Sequence, residues 1–541
     1  AFNIADWRLQ RQLHIADSLS HAGGSHYLRV GVDYRRLAAT YRYQPYRALF
    51  TFNGFTSASG GLLSGTAAAA AIVSSEPAVY PLYTGFSLYL QDTWRATSRT
   101  TLTWGFRWDI NPAPDVRSGP PPIAFKGFAD FPDITRVDPL YATRWRDFGP
   151  RFGLAYQLDT TPGREMMFRF GAGVLYDIAY GFAVRAFDAA PFVNQKTYAA
   201  PAFPLPPDRL EPIAVPATRP YGLVSASEPD LHAPRAYLWN ASIERMFGGV
   251  QSLVLTYAGA KVRDLLWAQT RRSYSEDKDT GSPDYDLVHV VSNKPVLNYQ
   301  SLQVQFRRRL SPSLQTQLSY TFSHAIDTGA FRLPPPGLAV IFDDTRRDSD
   351  FDLRHNFSFS GSWAFPSPRS GIAKGLFGNW WTDWLVTARS SLPLEVLGLA
   401  TEAVAKAPVR RLYGLARPNL VKGEALWLED AAAPGGRRLN PAAFALAGGY
   451  AHGNLPRNSL RGFDLFQADV AVRRRFLLTE GARLDLFAQA YNVFNHANFM
   501  NPTALGTAFL GSPMFGLGTP WHSPALGPAP RSLQFALRVE F

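Results

Sequence analysis

The sequence predicts an all-β protein, a transmembrane antiparallel β-barrel, and three observations carry that prediction. The first is alternation: segment after segment sets an apolar residue at every second position, which gathers those residues on one face of an extended chain. The second is spacing, since strand-like segments come in pairs joined by tight turns while the pairs are joined by long connections. The third is that no run of about 18 apolar residues occurs, so no segment reads as a transmembrane helix. Amphipathic helices of useful length, which would cover the apolar strand faces of a soluble sheet, are not found either. Lipid is therefore the expected cover.

The strands follow in order. Arg8–Ser20 and His26–Tyr43 flank the Gly-bearing turn His21–Ser25. In the second of these, Leu28, Val30, Val32 and Tyr34 oppose Arg29, Gly31, Asp33 and Arg35. Gly60–Val73 is Ala-rich and is read as a short helix or packed loop. Phe86–Arg95 and Thr100–Asn111 flank Ala96–Arg99, with Leu102, Trp104, Phe106 and Trp108 on one face. Phe148–Gln157 and Arg164–Ile178 flank Leu158–Gly163, which carries Thr-Pro-Gly. Ala236–Met246 and Ser252–Val262 flank Phe247–Gln251. Ser301–Arg307 and Leu314–His324 flank Ser311-Pro312-Ser313. His355–Phe365 and Trp380–Ser391 flank a Pro- and Gly-bearing stretch, and Phe463–Arg475 and Arg483–Phe494 flank Phe476–Ala482. The last strand, Arg531–Phe541, stands alone and sets Leu533, Phe535, Leu537, Val539 and Phe541 on one side. Gly, Pro, Asn and Ser at the turns supply the backbone angles that turns need.

Fifteen strands result. Short turns belong to the periplasmic end of such a barrel and long loops to the extracellular end, so Phe541 is placed at the periplasmic face. An odd count cannot close with every neighbour antiparallel. The expectation is one barrel domain over 1–541 that is partial, within a barrel of about 22 strands. The opening Ala1-Phe2-Asn3, with neither Met nor a signal peptide, reads as a processed chain or a fragment.

Composition agrees. Aromatics make up 14% of residues, with 13 Trp, 23 Tyr and 38 Phe, which suits girdles at two membrane interfaces. Trp380, Trp381 and Trp384 fit such a belt. The formal charge of +12 is carried mostly by arginines scattered over strands and strand ends. That scatter fits a lumen and a rim facing lipopolysaccharide or anionic solutes, and not a nucleic-acid face. The Arg307-Arg308-Arg309 and Arg473-Arg474-Arg475 runs fall at periplasmic strand ends, beside headgroups or solvent. With no cysteine there are no disulfides, thiolate metal sites or cysteine nucleophiles.

Few residues point to chemistry. Asp343, Asp344, Asp348, Asp350 and Asp352 form the densest acidic cluster, and hard oxygen ligands of that kind suit calcium. The segment lacks the spaced Gly and closing Glu of an EF-hand loop, and Arg346 and Arg347 interleave with it, so a solvated extracellular loop is the stronger reading. His324, His355, His452 and His496 lie near loop bases without ligand-type spacing, which argues against zinc. No nucleophile elbow, phosphate loop or dinucleotide fingerprint appears. No catalytic residue and no cofactor is expected.

Several segments resemble the barrel of TonB-dependent outer-membrane receptors, in particular the Oar-like group whose members carry an N-terminal carboxypeptidase-regulatory-like domain. They are Ser87–Arg95, Leu102–Arg107, Phe148–Tyr156, Trp239–Arg245, Tyr320–Asp327, Asp350–His355 and Tyr491–Phe499. The resemblance implies a twenty-two-stranded barrel, a plug inside it and uptake energised by the TonB complex. Plug, TonB box and regulatory-like domain are not recognised here, so the resemblance begins partway through a barrel. The expected partners are outer-membrane lipid and lipopolysaccharide, the TonB complex through a plug, the barrel-assembly machinery and a large solute such as a glycan, peptide or metal chelate. Phe535, Leu537, Val539 and Phe541 are the expected assembly signal, and the substrate-binding residues are unknown. A barrel not coupled to TonB, acting as a channel or adhesin, is the first alternative. A secreted β-rich carbohydrate-binding protein or enzyme is the second.

Overall fold

The computed structural model describes residues 5–52, 62–67, 69–126, 135–137, 139–177, 184–199, 201–227, 230–272, 285–311, 313–329, 339–340, 345–403, 411–448, 451–478, 481–502, 507–512, 514–520 and 530–541. All fifteen expected strands are present. They are β1 Ala5–Gly23, β2 His26–Tyr43, β3 Pro81–Arg95, β4 Thr100–Ile110, β5 Asp147–Asp159, β6 Met166–Tyr176, β7 Arg235–Phe247 and β8 Gln251–Arg263, followed by β9 Leu297–Ser311, β10 Leu314–Asp327, β11 His355–Ala364, β12 Trp380–Arg389, β13 Leu465–Leu477, β14 Arg483–Tyr491 and β15 Ser532–Glu540. Each bonds antiparallel to its predecessor and successor, and with three two-residue pieces they make one eighteen-stranded sheet. Short hairpins put sequence neighbours beside each other, so the up-and-down order is the low-cost topology.

Register is what turns alternation into two continuous faces. Directly opposed residues on antiparallel strands share a face. Leu154 faces Leu102 on β4 and Phe170 on β6. Val304 faces Leu255 on β8 and Tyr320 on β10. Leu486 faces Leu537, and Ala488 faces Phe535. An apolar face thus runs without a break from β2 to β15, and its large side chains stay open, with Phe535 76% and Leu537 72% exposed. Slipping any one strand by one residue would carry its polar set onto that face. The other face is polar. There Gln305 opposes Ser319 and Gln303 opposes Thr321, while Arg107 donates to Asp109 at 2.8 Å and to Ser87 at 2.7 Å.

The turns sit at one end. Gly24 takes φ 58° in the turn between β1 and β2, a left-handed conformation that costs Gly nothing. At the other end the long connections build structure of their own. Tyr46–Thr51, Ala69–Ser75 and Val193–Ala199 form a three-stranded sheet from two connections. A five-stranded sheet joins Ala124–Lys126, Thr135–Val137, Tyr221–Ser227, Tyr285–Ser292 and Trp267–Arg272 from three. Ala69–Ser75 corrects the reading of Gly60–Val73: a 3-10 turn occupies only Leu62–Ser64, and the alanines are a central strand. Burial on both sides overrides alanine's helix preference. Ala71 and Val73 pack into one core with Tyr41, Tyr83, Phe187 and Val291, while Ala70 and Ile72 pack into another with Leu205.

The tryptophan belt also needs correcting. Trp380 and Trp384 lie on the apolar face, opposite Arg474 and Val470, but Trp381 lies on the polar face, where Arg473 stacks on its ring at 5.4 Å. Period-two geometry forbids consecutive residues from sharing a face.

Among the described residues β1 pairs with β2 alone and β15 with β14 alone, so the sheet has two free edges, and β1 and β15 run in the same direction. Both faces of these two strands are exposed nearly throughout.

The apolar face contains one tight contact that tests this packing. Trp239 on β7 lies flat over Gly259 on β8, and a Cβ there would sit 2.3 Å from the indole. Gly259→Val should displace the indole and cost about 1–3 kcal/mol. Electrophoretic heat-modifiability should show the folded form converting at a lower temperature; an unchanged conversion would mean that Trp239 is not seated there.

Candidate functional site

The most heavily connected polar site described is where two of the long connections meet the tops of β10 and β11. Asp352, fully buried, accepts from four donors: Arg461 Nη2 at 2.6 Å, Arg354 Nε at 2.8 Å, His324 Nδ1 at 3.0 Å and the Ala325 amide at 2.7 Å. Arg461 also donates to the Asp348 carboxylate and, at 2.9 Å, to the Asp352 carbonyl. Arg354 reaches the same Asp348 carboxylate at 3.5 Å. One layer away, buried Arg457 donates to the carboxylate and carbonyl of Asp327 at the end of β10. Asn458, held at φ 55°, donates to Asp350 at 2.6 Å and to the Asp348 carbonyl at 2.9 Å.

Electrostatics within this cluster is settled by hydrogen bonding. Burial of Asp352 opposes its charge, but the donors from Arg461, His324, Ala325 and Arg354 outweigh it and hold the carboxyl at about 2. His324 faces a carboxylate at Nδ1 and the Arg354 guanidinium at Nε2, 3.3 Å away. A neutral ring protonated on Nδ1 satisfies both contacts, since an arginine can only donate.

The expected acidic cluster is therefore partly assembled. Asp348, Asp350 and Asp352 converge, whereas Asp343 and Asp344 lie outside the described residues. The cations that meet the aspartates are not the interleaved Arg346 and Arg347, which are exposed, but Arg354, Arg457 and Arg461. Ligand-type atoms of His324, Asp348 and Asp352 lie within 4.8 Å of one another. Two guanidinium groups already bind the same carboxylate oxygens, so a metal ion there would face two fixed positive charges at close range. Of the other three histidines, His355 meets Tyr320 Oη at 2.8 Å, His452 accepts from the Arg417 amide at 3.0 Å and His496 packs edge-on to Phe466.

Sequence reasoning missed His324, Arg457, Asn458 and Arg461 as members of this site. The signal present was the local run Pro456–Gly462, rich in turn formers and cations, about a hundred residues from its partners. The receptor-like segment Tyr491–Phe499 proves to be a strand-end lock of the same kind. Asn492 and Asn495 take φ 49° and 51°, the Asn492 amide donates to Asp469 at 2.8 Å, and Asn498 exchanges bonds of 2.9 and 3.0 Å with the backbone of Phe466.

The polar face of the wall holds a second site. A cavity of about 530 Å³ lies against β1 to β5, lined among others by Ser18, Arg29, Asp33, Tyr89, Arg107 and Arg151. Asp33 is bridged by His14 at 3.0 Å and Arg35 at 3.2 Å, and Arg29 donates to Ser18 at 3.1 Å. Of the residues expected to form an assembly signal, Phe535, Leu537 and Val539 lie on the apolar face of β15, and Phe541 at its turn-side end is fully exposed.

Comparison with known proteins places this geometry. A sequence family described as outer membrane beta barrel domain matches residues 5–534. No curated protein matches the sequence. Among solved structures, the outer membrane transporter YddB from Escherichia coli aligns with a TM-score of 0.51 and 10% identity, over 98% of this chain and 54% of that one. The FrpB iron transporter from Neisseria meningitidis (F3-3 variant) aligns with a TM-score of 0.47 and 11% identity, over 97% and 54%. The chain thus spans about half the length of these structures.

The cluster yields a test. Asp352→Asn removes the buried charge shared by Arg354 and Arg461, which are part-exposed and keep only Asp348, and should cost about 1–3 kcal/mol locally. Hydrogen exchange and limited proteolysis should rise in 345–354 and 451–461 while the wall stays intact. Because the Asp352 pKa lies below its unfolded value, its contribution is complete above about pH 4 and is lost as pH falls from there through about 2. Unchanged protection in the variant would show that the cluster does not hold the loops.

Proposed function

We propose that this chain, which belongs to the outer membrane beta barrel domain family, forms the greater part of the wall of a receptor for TonB-dependent uptake of a large solute. The observation that carries the reading is the pairing of a polar inner face with interlocked, ion-paired loop caps at one end of the wall. A passive pore needs a polar lumen; it does not need loops from separate connections fastened into fixed sheets. Preformed surfaces of that width suit a glycan, a peptide or a metal chelate, bound by many weak polar contacts. The likeness in fold to an outer-membrane transporter supports the reading. Binding and transport, without covalent chemistry, is the proposed activity.

The wall is completed, in this reading, by further strands. Two free edges running in the same direction can be joined with every neighbour antiparallel only by an odd number of strands, and about seven give the 22 of plugged transporters. The Oar-like affiliation belongs to the same proposal, as do a plug and the TonB complex it would engage. The Asp348–Asp350–Asp352 segment serves as a loop fastening in it, not as a metal centre. Lipopolysaccharide meets the basic rim, and the barrel-assembly machinery reads Phe535, Leu537, Val539 and Phe541.

Two measurements test the reading. Cells supplied with labelled glycan, peptide and ferric-chelate pools should bind one of them at the surface with or without TonB, but accumulate it only when TonB is present. Accumulation that survives loss of TonB would favour the passive channel. Deleting Phe541 should lower the amount of folded protein in the outer membrane, and undiminished assembly would remove that residue from the signal.

A further inference from the structure

At the turn end of the wall one connection differs from the other short turns. Between β11 and β12 the chain forms a helix, Gly371–Phe377, and every residue of it is exposed. Ile372 is 82%, Phe377 65% and Leu376 56% exposed. At 100° per residue, Ile372, Ala373, Leu376 and Phe377 share one side of the helix, while Lys374 and two glycines take the other.

The helix is fastened to a particular face of the wall. Trp380 Nε1 donates to the Leu376 carbonyl at 3.0 Å, and Arg474 donates to the Gly375 carbonyl. Trp380 and Arg474 oppose each other on the apolar face. Arg474 is itself laid over Trp380 at 5.2 Å and Phe476 at 4.3 Å. Trp363 and Phe365 pack tilted against each other beside them, ring centroids 4.5 Å apart. The helix therefore lies outside the wall, at the edge of the band that faces hydrocarbon. The stretch from Phe365 to Trp381 contains Arg369 and Lys374 and no acidic residue.

We propose that Gly371–Phe377 is an interfacial anchor, seated in the periplasmic leaflet with Ile372, Leu376 and Phe377 among the acyl chains and with Arg369, Lys374 and Arg474 on anionic phospholipid headgroups. Three features commit the surface to lipid: it continues the lipid-facing band, its charge is of one sign, and its aromatic and arginine neighbours are the usual residents of a membrane interface. Arg474 acts as the hinge pin, spanning the band by its stem and the helix by its guanidinium. The anchor sets the depth at which β11 to β13 sit in the membrane.

The chain has no cysteine, so single probes can be introduced cleanly. Full-length protein carrying Ile372→Cys, Phe377→Cys or Lys374→Cys, each labelled with an environment-sensitive fluorophore, is reconstituted in phosphatidylethanolamine vesicles with and without phosphatidylglycerol. Probes at 372 and 377 should resist aqueous acrylamide, be quenched by lipids brominated near the headgroup and shift to the blue when phosphatidylglycerol is present. The probe at 374 should remain open to acrylamide. The combined Arg369→Gln and Lys374→Gln change should abolish the phosphatidylglycerol-dependent shift while the wall folds normally. Equal acrylamide access at all three positions would overturn the proposal, as would protection at 372 and 377 without brominated-lipid quenching, which would mark a protein partner instead. A blue shift independent of phosphatidylglycerol would overturn its headgroup part.

Discussion

Everything in this molecule depends on one constraint: in hydrocarbon, a backbone N–H or C=O without a partner costs several kcal/mol, so a chain that spans lipid by strands must bond every strand to a neighbour. The fifteen-strand ladder meets that constraint with short hairpins and an unbroken antiparallel order. Register then follows from side chains. Once β9 and β10 are bonded with Val304 against Tyr320, Leu302, Val304, Phe306, Leu318, Tyr320 and Phe322 share the lipid-facing side, and Gln303, Gln305, Ser319 and Thr321 share the inner one. Among the described residues the two free edges are where this satisfaction stops.

A different physics governs the other end. There the connections are surrounded by water and by one another, so they build small hydrophobic cores of their own, with Val73, Phe187 and Val291 in one and Val396, Leu439 and Phe444 in another. Charge finishes what those cores begin. Asp352 takes four donors drawn from β10, from its own loop and from a segment about a hundred residues away, and so ties separate connections to a strand top. The carboxylate of Asp352 accepts two donors at each oxygen, so its lone pairs are taken up by the protein's own groups.

Much of this was legible beforehand. Period-two alternation located all fifteen strands and, in the strands whose faces were assigned, the side that the alternating residues take, because local geometry decides both. The turn and loop lengths located the two ends. The loop sheets were not legible, since the strands Ala69–Ser75 and Tyr221–Ser227 are defined by partners from other connections and Ala69-Ala70-Ala71 carries a helical preference in isolation. The Trp380 to Trp384 belt was read half correctly for the same reason: aromatic content marks an interface, but only strand parity says that Trp381 turns inward.

What the sequence by itself determined, then, is everything that depends on neighbours along the chain: strand, turn, facing, and the class of membrane structure they imply. What only the tertiary structure decided is everything that depends on neighbours through space. It brought Arg457, Asn458 and Arg461 to Asp327, Asp348, Asp350 and Asp352, and it fastened the helix Gly371–Phe377 to the outside of the wall through Trp380 and Arg474. The physical reason is range. Backbone periodicity acts over a few residues, whereas an ion pair or a buried core joins whatever the ladder carries into contact, at any distance along the sequence.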